Sequence, residues 1–309
     1  MKRILVILAL AVSIISVEAK PVKDEGLNLR IGSYNIWSNV ARKGQVAKKN
    51  ALPSRGWDES KEAVADLIVK LDCDLIGMQE VTVECRDDLE KLVKKAGGKY
   101  GIWWVNTYPA DHKTPVGNAV FYKKKSFRIE NQSIYYFSPT PEVMSKGWDE
   151  KKYYRAALTA TVTHKRSGRR FFFIATHGPL ADEASARAGE ILVEIDRKYN
   201  TEGLPAIVVG DMNANPTEPF YLNACSYYQD TYVVAEEKCG NIGTFNGAKG
   251  DEKSFELIIR RIDHIYIHST ENGEFIVRKY EVNRDKYEVD GQMHYPSDHN
   301  PVIVDLILE

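Results

Sequence analysis

The 309-residue sequence is short of several things, and each shortage closes off a class of function. It has four cysteines, Cys73, Cys85, Cys225 and Cys239, with no C-x-x-C pair, which argues against a cysteine-ligated zinc cluster. It lacks an excess of either charge: the formal net charge is −1 at pH 7. A near-neutral chain has no basic surplus of the kind a tight, salt-sensitive, sequence-specific nucleic-acid binder needs, although a local basic groove can hide in a neutral total. The G-x-S-x-G turn of serine hydrolases and the G-x-x-x-x-G-K-[ST] phosphate loop are absent. The D-x-H and G-N-H-[DE] pair of calcineurin-like phosphoesterases is absent as well. There is no internal repeat, no low-complexity tract and no Pro/Ser/Gly-rich linker.

One apolar run stands apart. Lys2 and Arg3 precede Ile4–Val17, and Val17-Glu18-Ala19 has the small-x-small form of a cleavage site. This predicts a signal peptide over residues 1–19, cut after Ala19, and a secreted or periplasmic product. The alternative is a membrane anchor, but the run is shorter than the roughly 20 residues that span a bilayer. No cysteine stands at the end of the run to take a lipid. Losing Lys2, Arg3 and Glu18 moves the formal charge from −1 to −2. Residues 20–309 are expected to form one domain, and a monomer, because no heptad run is evident. An even cysteine count in an exported chain allows disulfides. Cys225–Cys239 is the expected pair, closing a surface loop, and Cys73 and Cys85 are expected as small core residues.

The pattern predicts strands at Leu27–Ile36, Asp74–Gln79, Asn118–Tyr122, Ala156–His164, Arg170–Thr176, Ala206–Val209, Glu256–Ile267 and Pro301–Leu308. Helices are predicted at Trp57–Leu71, Asp87–Ala96 and Ala184–Tyr199, the second stopped by Gly97-Gly98. Helices and strands alternate early, while the middle and end are strand-rich. A mixed sheet, or two sheets, covered by helices follows.

Six predicted strands end in polar groups: Asn35 with Trp37, Gln79-Glu80, Thr176-His177, Asp211-Met212-Asn213, Asp263-His264, and Ser297-Asp298-His299-Asn300. One such end is commonly a solvated charge or a structural histidine. Six in one chain suggest a shared rim, where α/β folds gather catalytic groups. The carboxylates and amides suit Mg²⁺, with Mn²⁺ or Ca²⁺ as alternatives, because hard cations take oxygen ligands. Imidazoles can move protons, and amides can donate to phosphate oxygens.

The ordered motifs N-I-W, Q-E, T-H, G-D-M-N, R-I-D and S-D-H-N-P resemble those of the endonuclease/exonuclease/phosphatase superfamily, which is deoxyribonuclease I-like. The likeness extends from about residue 27 to 308. It implies an α/β four-layer sandwich, two packed mixed β-sheets flanked by helices. It also implies a Mg²⁺-dependent phosphoric ester hydrolase using in-line attack of water. By the same resemblance, Glu80, Asn35 and Asp298 hold the metal, and Asp211 orients or deprotonates the water. Asn213 holds the phosphoryl group. His299 faces the phosphate with Asp263 fixing its tautomer, and His177 donates to a phosphate oxygen or the leaving group. Asn118 resembles a position near the phosphate, and is otherwise a turn Asn entering a strand. Arg155 either meets a phosphate or is a structural Arg. Two departures stand out: Asn246 occupies the place of a histidine in many bacterial relatives, and Gly178-Pro179 follows T-H in place of Leu-Asp.

The substrate is left open among a nucleic acid bound without sequence specificity, a small phosphodiester or phosphomonoester, and a sphingomyelinase-type lipid. A catalytically inactive binding protein on the same fold is the other class. A nucleic-acid groove would draw on Lys123-Lys124-Lys125, Lys165-Arg166 and Arg169-Arg170. A small-substrate pocket could use Trp37, Trp103, Trp104 and Trp148 as walls. The segment Ile134-Tyr135-Tyr136-Phe137 is the candidate membrane loop, but reads better as a strand.

Overall fold

The structure, a computed structural model, describes residues 26–46, 56–113, 115–240, 242–247 and 260–309. The expected signal peptide and the first part of the expected strand Glu256–Ile267 lie outside these residues. In chain order the elements are β1 (Leu27–Asn35), α1 (Asn39–Val46), α2 (Trp57–Leu71), β2 (Leu75–Thr82), α3 (Val83–Lys95), β3 (Gly101–Asn106), β4 (Val116–Tyr122) and β5 (Phe127–Tyr136). There follow β6 (Ala156–His164), β7 (Arg170–His177), α4 (Asp182–Tyr199), β8 (Ala206–Asp211), α5 (Pro219–Ala224), β9 (Gln229–Asp230), α6 (Thr231–Val234) and β10 (Glu237–Cys239). The chain continues through β11 (Asp263–His268), β12 (Phe275–Val282), β13 (Tyr287–Val289), β14 (Gln292–His294) and β15 (Val302–Leu308).

Two mixed sheets form. One runs β10-β12-β15-β1-β2-β4-β3 and the other β5-β6-β7-β8-β11-β9. The pairs β1/β2, β10/β12 and β7/β8 are parallel, and the rest are antiparallel. Strand periodicity sorts the side chains into three apolar layers. In β7, Phe171, Phe173 and Ala175 face the other sheet, while Phe172 and Ile174 face α4. In β1, Leu29 and Ile31 lie between the sheets, while Tyr34, and Ile36 just past the strand's end, face α2. The order helix, sheet, sheet, helix is therefore the predicted four-layer sandwich. Just below the rim the sheets close on one another at Gly77, where a Cβ would lie 2.3 Å from Val209 Cγ2.

Several expectations are corrected. All four cysteines are free. Cys225 ends α5 in the helix layer of the six-stranded sheet, whereas Cys239 is on β10, the edge of the other sheet. The pair Cys225–Cys239 is therefore not formed. Lys123–Lys125 follow β4, and Lys165, Arg166 and Arg169 lie in the β6–β7 turn. Both stretches are at the pole opposite the strand ends described below, so neither lines the rim. Lys123 pairs with Asp72 and Asp74, and Arg170 with Glu202. Trp103 packs from β3 against the inter-sheet core, and Trp148, in the β5–β6 loop, packs against the α4 layer. Trp104 faces the α2–α3 layer and donates its Nε1–H to Val81 O at 2.8 Å. Ile134–Tyr136 belongs to β5, as the strand reading expected. No helix among the described residues is long and apolar enough to cross a membrane.

Candidate active site

The rim is where β1, β2, β7 and β8 end and β4, β6, β11 and β15 begin. Odd positions of β1 and β8 point between the sheets, so Asn35 and Asp211 meet across the cleft. Asn35 Nδ2 donates to Asp211 Oδ2 at 3.0 Å and reaches Glu80 Oε1 at 3.4 Å. The same Asp211 oxygen lies 3.4 Å from His177 Nε2 and 3.7 Å from His299 Nε2. Its other oxygen accepts from the Asn213 amide N–H at 2.9 Å. One carboxylate thus gathers four of the predicted residues, and it is 1% exposed.

Glu80 is aimed by a β-bulge. Met78 pairs with Ala119 and Val81 with Gly117, so Gln79 and Glu80 together oppose Asn118. Glu80 has φ 61°, a left-handed conformation rare for a side chain with a Cβ. Trp37 and Asn213 adopt it too, at φ 55° and 52°. Three strained residues at one rim are the kind of cost that sites retain when the surroundings enforce it. Part of the enforcement is visible: Ser38 donates from both its amide and its hydroxyl to Glu80 Oε2, at 3.1 and 3.2 Å.

The C-terminal motif closes the site. Ser297 Oγ donates to Asn35 O at 2.7 Å and accepts from the His299 amide at 3.2 Å. His299 Nδ1 lies 2.9 and 3.1 Å from the two Asp263 oxygens, which leaves Nε2 facing the cleft. Thr244 Oγ1 accepts from the amides of Ile262 and Asp263, each at 3.0 Å. Phe245 bridges to His299 and stands edge-on to its ring, 5.0 Å between centroids. Thr244-Phe245 therefore frames the Asp263–His299 pair, and Asn246, in place of a histidine, bonds Ser297 O and Asn300 Oδ1. Ser38 and Thr244 were not among the expected site residues, and Ser297 stood in the S-D-H-N-P motif without a role of its own. Their parts are hydrogen bonds across the fold, for which a hydroxyl in a sequence carries no signal.

Electrostatics divides the roles. Burial pushes the Asp211 carboxyl up, but the charge of His299 and the hydrogen bond from His177 outweigh it, so Asp211 is held well below the usual carboxylate range. Burial pushes His299 down, yet Asp263 and Asp211 prevail and raise it well above an ordinary histidine. His177 is lowered by burial and by the charge of Arg155, which favours the neutral ring. Asp298 is pushed up to about 7, chiefly by burial, with the charge of Glu80 adding to it against the pull of His299.

That last effect bears on the metal. The tightest group of ligand-type atoms among the described residues is Asp211, Asp263 and His299, all within 4.8 Å of one another. Asp263 and His299 already satisfy each other, however, and are better read as a hydrogen-bonded pair. Glu80 and Asp298, both partly exposed at the rim, instead act on each other as like charges, and a hard dication relieves that repulsion. The donor set fits a divalent cation at the predicted Glu80/Asp298/Asn35 position.

Two expected contacts differ in kind. Asn118 is 3% exposed and donates from Nδ2 to Ala156 O at 3.2 Å, tying the sheets together. It is the third residue of β4 and stands opposite Gln79 and Glu80 at the rim, so it is not a turn residue. Arg155 immediately precedes β6, with its guanidinium 4.5 Å from the Tyr153 ring. Its Nε finds no hydrogen-bond partner among the described residues.

A profile of the Endonuclease/Exonuclease/phosphatase family matches residues 32–299. The chain belongs to this family. Among curated proteins it is 25% identical to human Nocturnin over 207 residues, 64% of this chain and 46% of Nocturnin. The chain thus spans about half the length of the curated relatives it matches. Among solved structures, an endonuclease/exonuclease/phosphatase family protein from Bacteroides thetaiotaomicron is 25% identical, with 92% of this chain and 99% of that one covered and a TM-score of 0.77. A mannosyl-6-phosphatase from the same species is 27% identical, covers 90% and 99%, and has a TM-score of 0.75. The members of this family are phosphoric ester hydrolases. The family is typically divalent-metal dependent, and the rim carries a buried Asp and His cluster beside the Glu80/Asp298 position.

Proposed function

We propose that the protein is an exported, Mg²⁺-dependent hydrolase of a small phosphate ester, with a sugar phosphate as the favoured substrate and no partner subunit. The observation that carries this reading is the shared Asp211 carboxylate, which joins Asn35, His177, Asn213 and His299 in one cleft between the sheets. Glu80, Asp298 and Asn35 would hold the cation. When bound, it neutralises phosphate charge and polarises the P–O bond.

The chain's own groups supply the rest. Asp211, ionised and aimed into the cleft, accepts a hydrogen bond from the attacking water and sets its line of approach. His299 is protonated at Nδ1 toward Asp263 and presents Nε2–H to a non-bridging oxygen, where it stabilises developing charge. Asn213 uses one amide hydrogen on Gly178 O at 3.0 Å and keeps the other for the phosphoryl group. Neutral His177 supports the Asp211 oxygen from the other side. Arg155, beside His177 and with its Nε unpartnered, adds fixed positive charge for the ester.

Two points support a small substrate. The basic stretches that could track a polynucleotide lie away from the rim, and the mannosyl-6-phosphatase is a relative over nearly its whole length. The decisive experiment assays the purified protein on sugar 6-phosphates, p-nitrophenyl phosphate, bis-p-nitrophenyl phosphate, RNA, plasmid DNA and sphingomyelin, each with Mg²⁺ and with chelator. Chelator-sensitive release of phosphate from a sugar phosphate is expected. Preferred cleavage of nucleic acid or sphingomyelin would overturn the substrate class. Undiminished turnover by Asp211→Ala would overturn the site.

A further inference from the structure

The turn that carries Asp211 and Asn213 is strained, because Asn213 sits at φ 52°. Such a turn persists only if both sides are held. On the upstream side, Met212 N donates to Ile262 O at 2.8 Å, extending the β8/β11 ladder by one rung. On the downstream side, His264 Nε2 lies 2.8 Å from Ala214 O, and the next residue, Asn215, donates its amide N–H to Glu218 Oε2 at 2.7 Å. His264 is 0% exposed and alternates out of the cleft, on the opposite face of β11 from Asp263. There its ring lies among Tyr221 and Tyr266, at centroid distances of 5.3 Å each.

The partners dictate the tautomer. Arg261 NH1 lies 3.1 Å from His264 Nδ1. A guanidinium can only donate, so Nδ1 must be the acceptor and the ring hydrogen must be on Nε2, pointing at the Ala214 carbonyl. Arg261 is itself fixed: its NH2 meets Asp230 Oδ2 at 2.7 Å, and both side chains are less than 5% exposed. Tyr221 OH donates to the same Asp230 oxygen at 2.8 Å. A continuous chain therefore runs from Asp230 through Arg261 and His264 to the backbone of the catalytic turn. Burial and the neighbouring Arg261 charge also keep the ring neutral, its titration pushed down to about 4.

We propose that His264 is a positioning residue: as the Nε2–H tautomer it clamps Ala214 O, and through that carbonyl it fixes the turn presenting Asp211 and Asn213. It touches neither substrate nor metal and acts only through the turn. The inference rests on the reading of Asp211 and Asn213 as catalytic.

The test uses the full chain and has two arms. Nitrogen NMR of ¹⁵N-histidine-labelled, metal-free protein reads the tautomer without any assay. His264 is expected to show an unprotonated Nδ1 and a protonated Nε2, and the reverse assignment would overturn the clamp. In the kinetic arm, with Mg²⁺ and p-nitrophenyl phosphate, His264→Phe keeps the ring stack but loses the donor. Its kcat is expected to fall about 10- to 100-fold, the usual range for groups that orient active residues, with KM little changed. His264→Gln retains a donor of similar reach and is expected to recover most of the loss. In an Asn213→Ala background the His264→Phe effect should shrink below its size in the wild type, since only Asp211 is then left for the clamp to position. Additive losses, or failure of His264→Gln to rescue while folded, would make His264 merely structural. If the wild type hydrolyses none of the phosphate esters, the functional reading fails, and the tautomer alone decides whether the clamp exists.

Discussion

Asp263 holds His299 through both carboxylate oxygens, at 2.9 and 3.1 Å from Nδ1, and neither side chain has more than a few per cent of its surface in water. Asp263→Asn removes the charge while keeping the shape. The His299 midpoint is then expected to move down, because Asp263 is the largest of the influences raising it. The sign follows directly: a histidine raised by folding stabilises the fold below its unfolded value of about 6.5 and loses that contribution as pH rises through the folded value. Histidine NMR titration of metal-free protein checks the shift, and kcat is expected to fall by about 100-fold or more.

Metal binding should release a proton. Asp298 sits at about 7, raised by burial and by Glu80, and a cation between them favours the ionised form. Calorimetry of Mg²⁺ binding in buffers of different ionisation heat is expected to report proton release at pH 6 that fades by pH 8. Asp298→Asn should abolish the release. Glu80→Gln should abolish the Mg²⁺-dependent rise in melting temperature, which follows from mass action on the folded state.

Gly178 occupies the place where relatives often carry a larger residue, and the structure gives the reason glycine is needed here. A Cβ at 178 would lie 2.3 Å from Met212 O, and Gly178 N donates to Asp211 O at 2.7 Å. Gly178→Ala must push the two catalytic loops apart. A loss of about 1–3 kcal/mol in urea unfolding is expected, with a fall in kcat larger than in any alanine substitution at an exposed glycine such as Gly168.

The Asp230–Arg261 pair makes a separate prediction about stability. Burial pushes Asp230 up, but the positive charges around it, including the Arg261 hydrogen bond, prevail and lower it. A depressed carboxylate stabilises the fold above its unfolded value of about 3.9, and that stability is lost as pH falls through the folded value. Asp230→Asn should therefore cost about 3–5 kcal/mol at pH 7, the range for breaking a buried pair. The gap from wild type in urea midpoints should narrow below pH 4.

The predicted boundaries of α2 and β6 hold to the residue, because their periodicity is uninterrupted from Trp57 to Leu71 and from Ala156 to His164. β2 runs past the expected end at Gln79 to Thr82, because a bulge breaks the alternation where the strand was read to stop. α3 begins at Val83, ahead of the expected Asp87, since Thr82 Oγ1 caps it by accepting from Cys85 N at 3.1 Å. β3 is half-buried along its whole length and shows no alternation, so nothing in its sequence marks it. At the rim, Asn35, Glu80, His177, Asp211, Asn213, Asp263, Asp298 and His299 were legible, because a polar group closing an apolar run is visible without a structure. Ser38 and Thr244 were not, since their contacts join segments far apart in the chain, and His264 was visible beside Asp263 while its contact with Ala214 was not.

β15 lies between β12 and β1 in the interior of its sheet. Asp298 and His299 arrive just ahead of it. A partly folded intermediate still waiting for that strand has neither group in place and has a gap where its two neighbours should be joined. On the reading proposed above, hydrolysis therefore requires β15 to be docked, because that strand fixes the segment carrying Asp298 and His299.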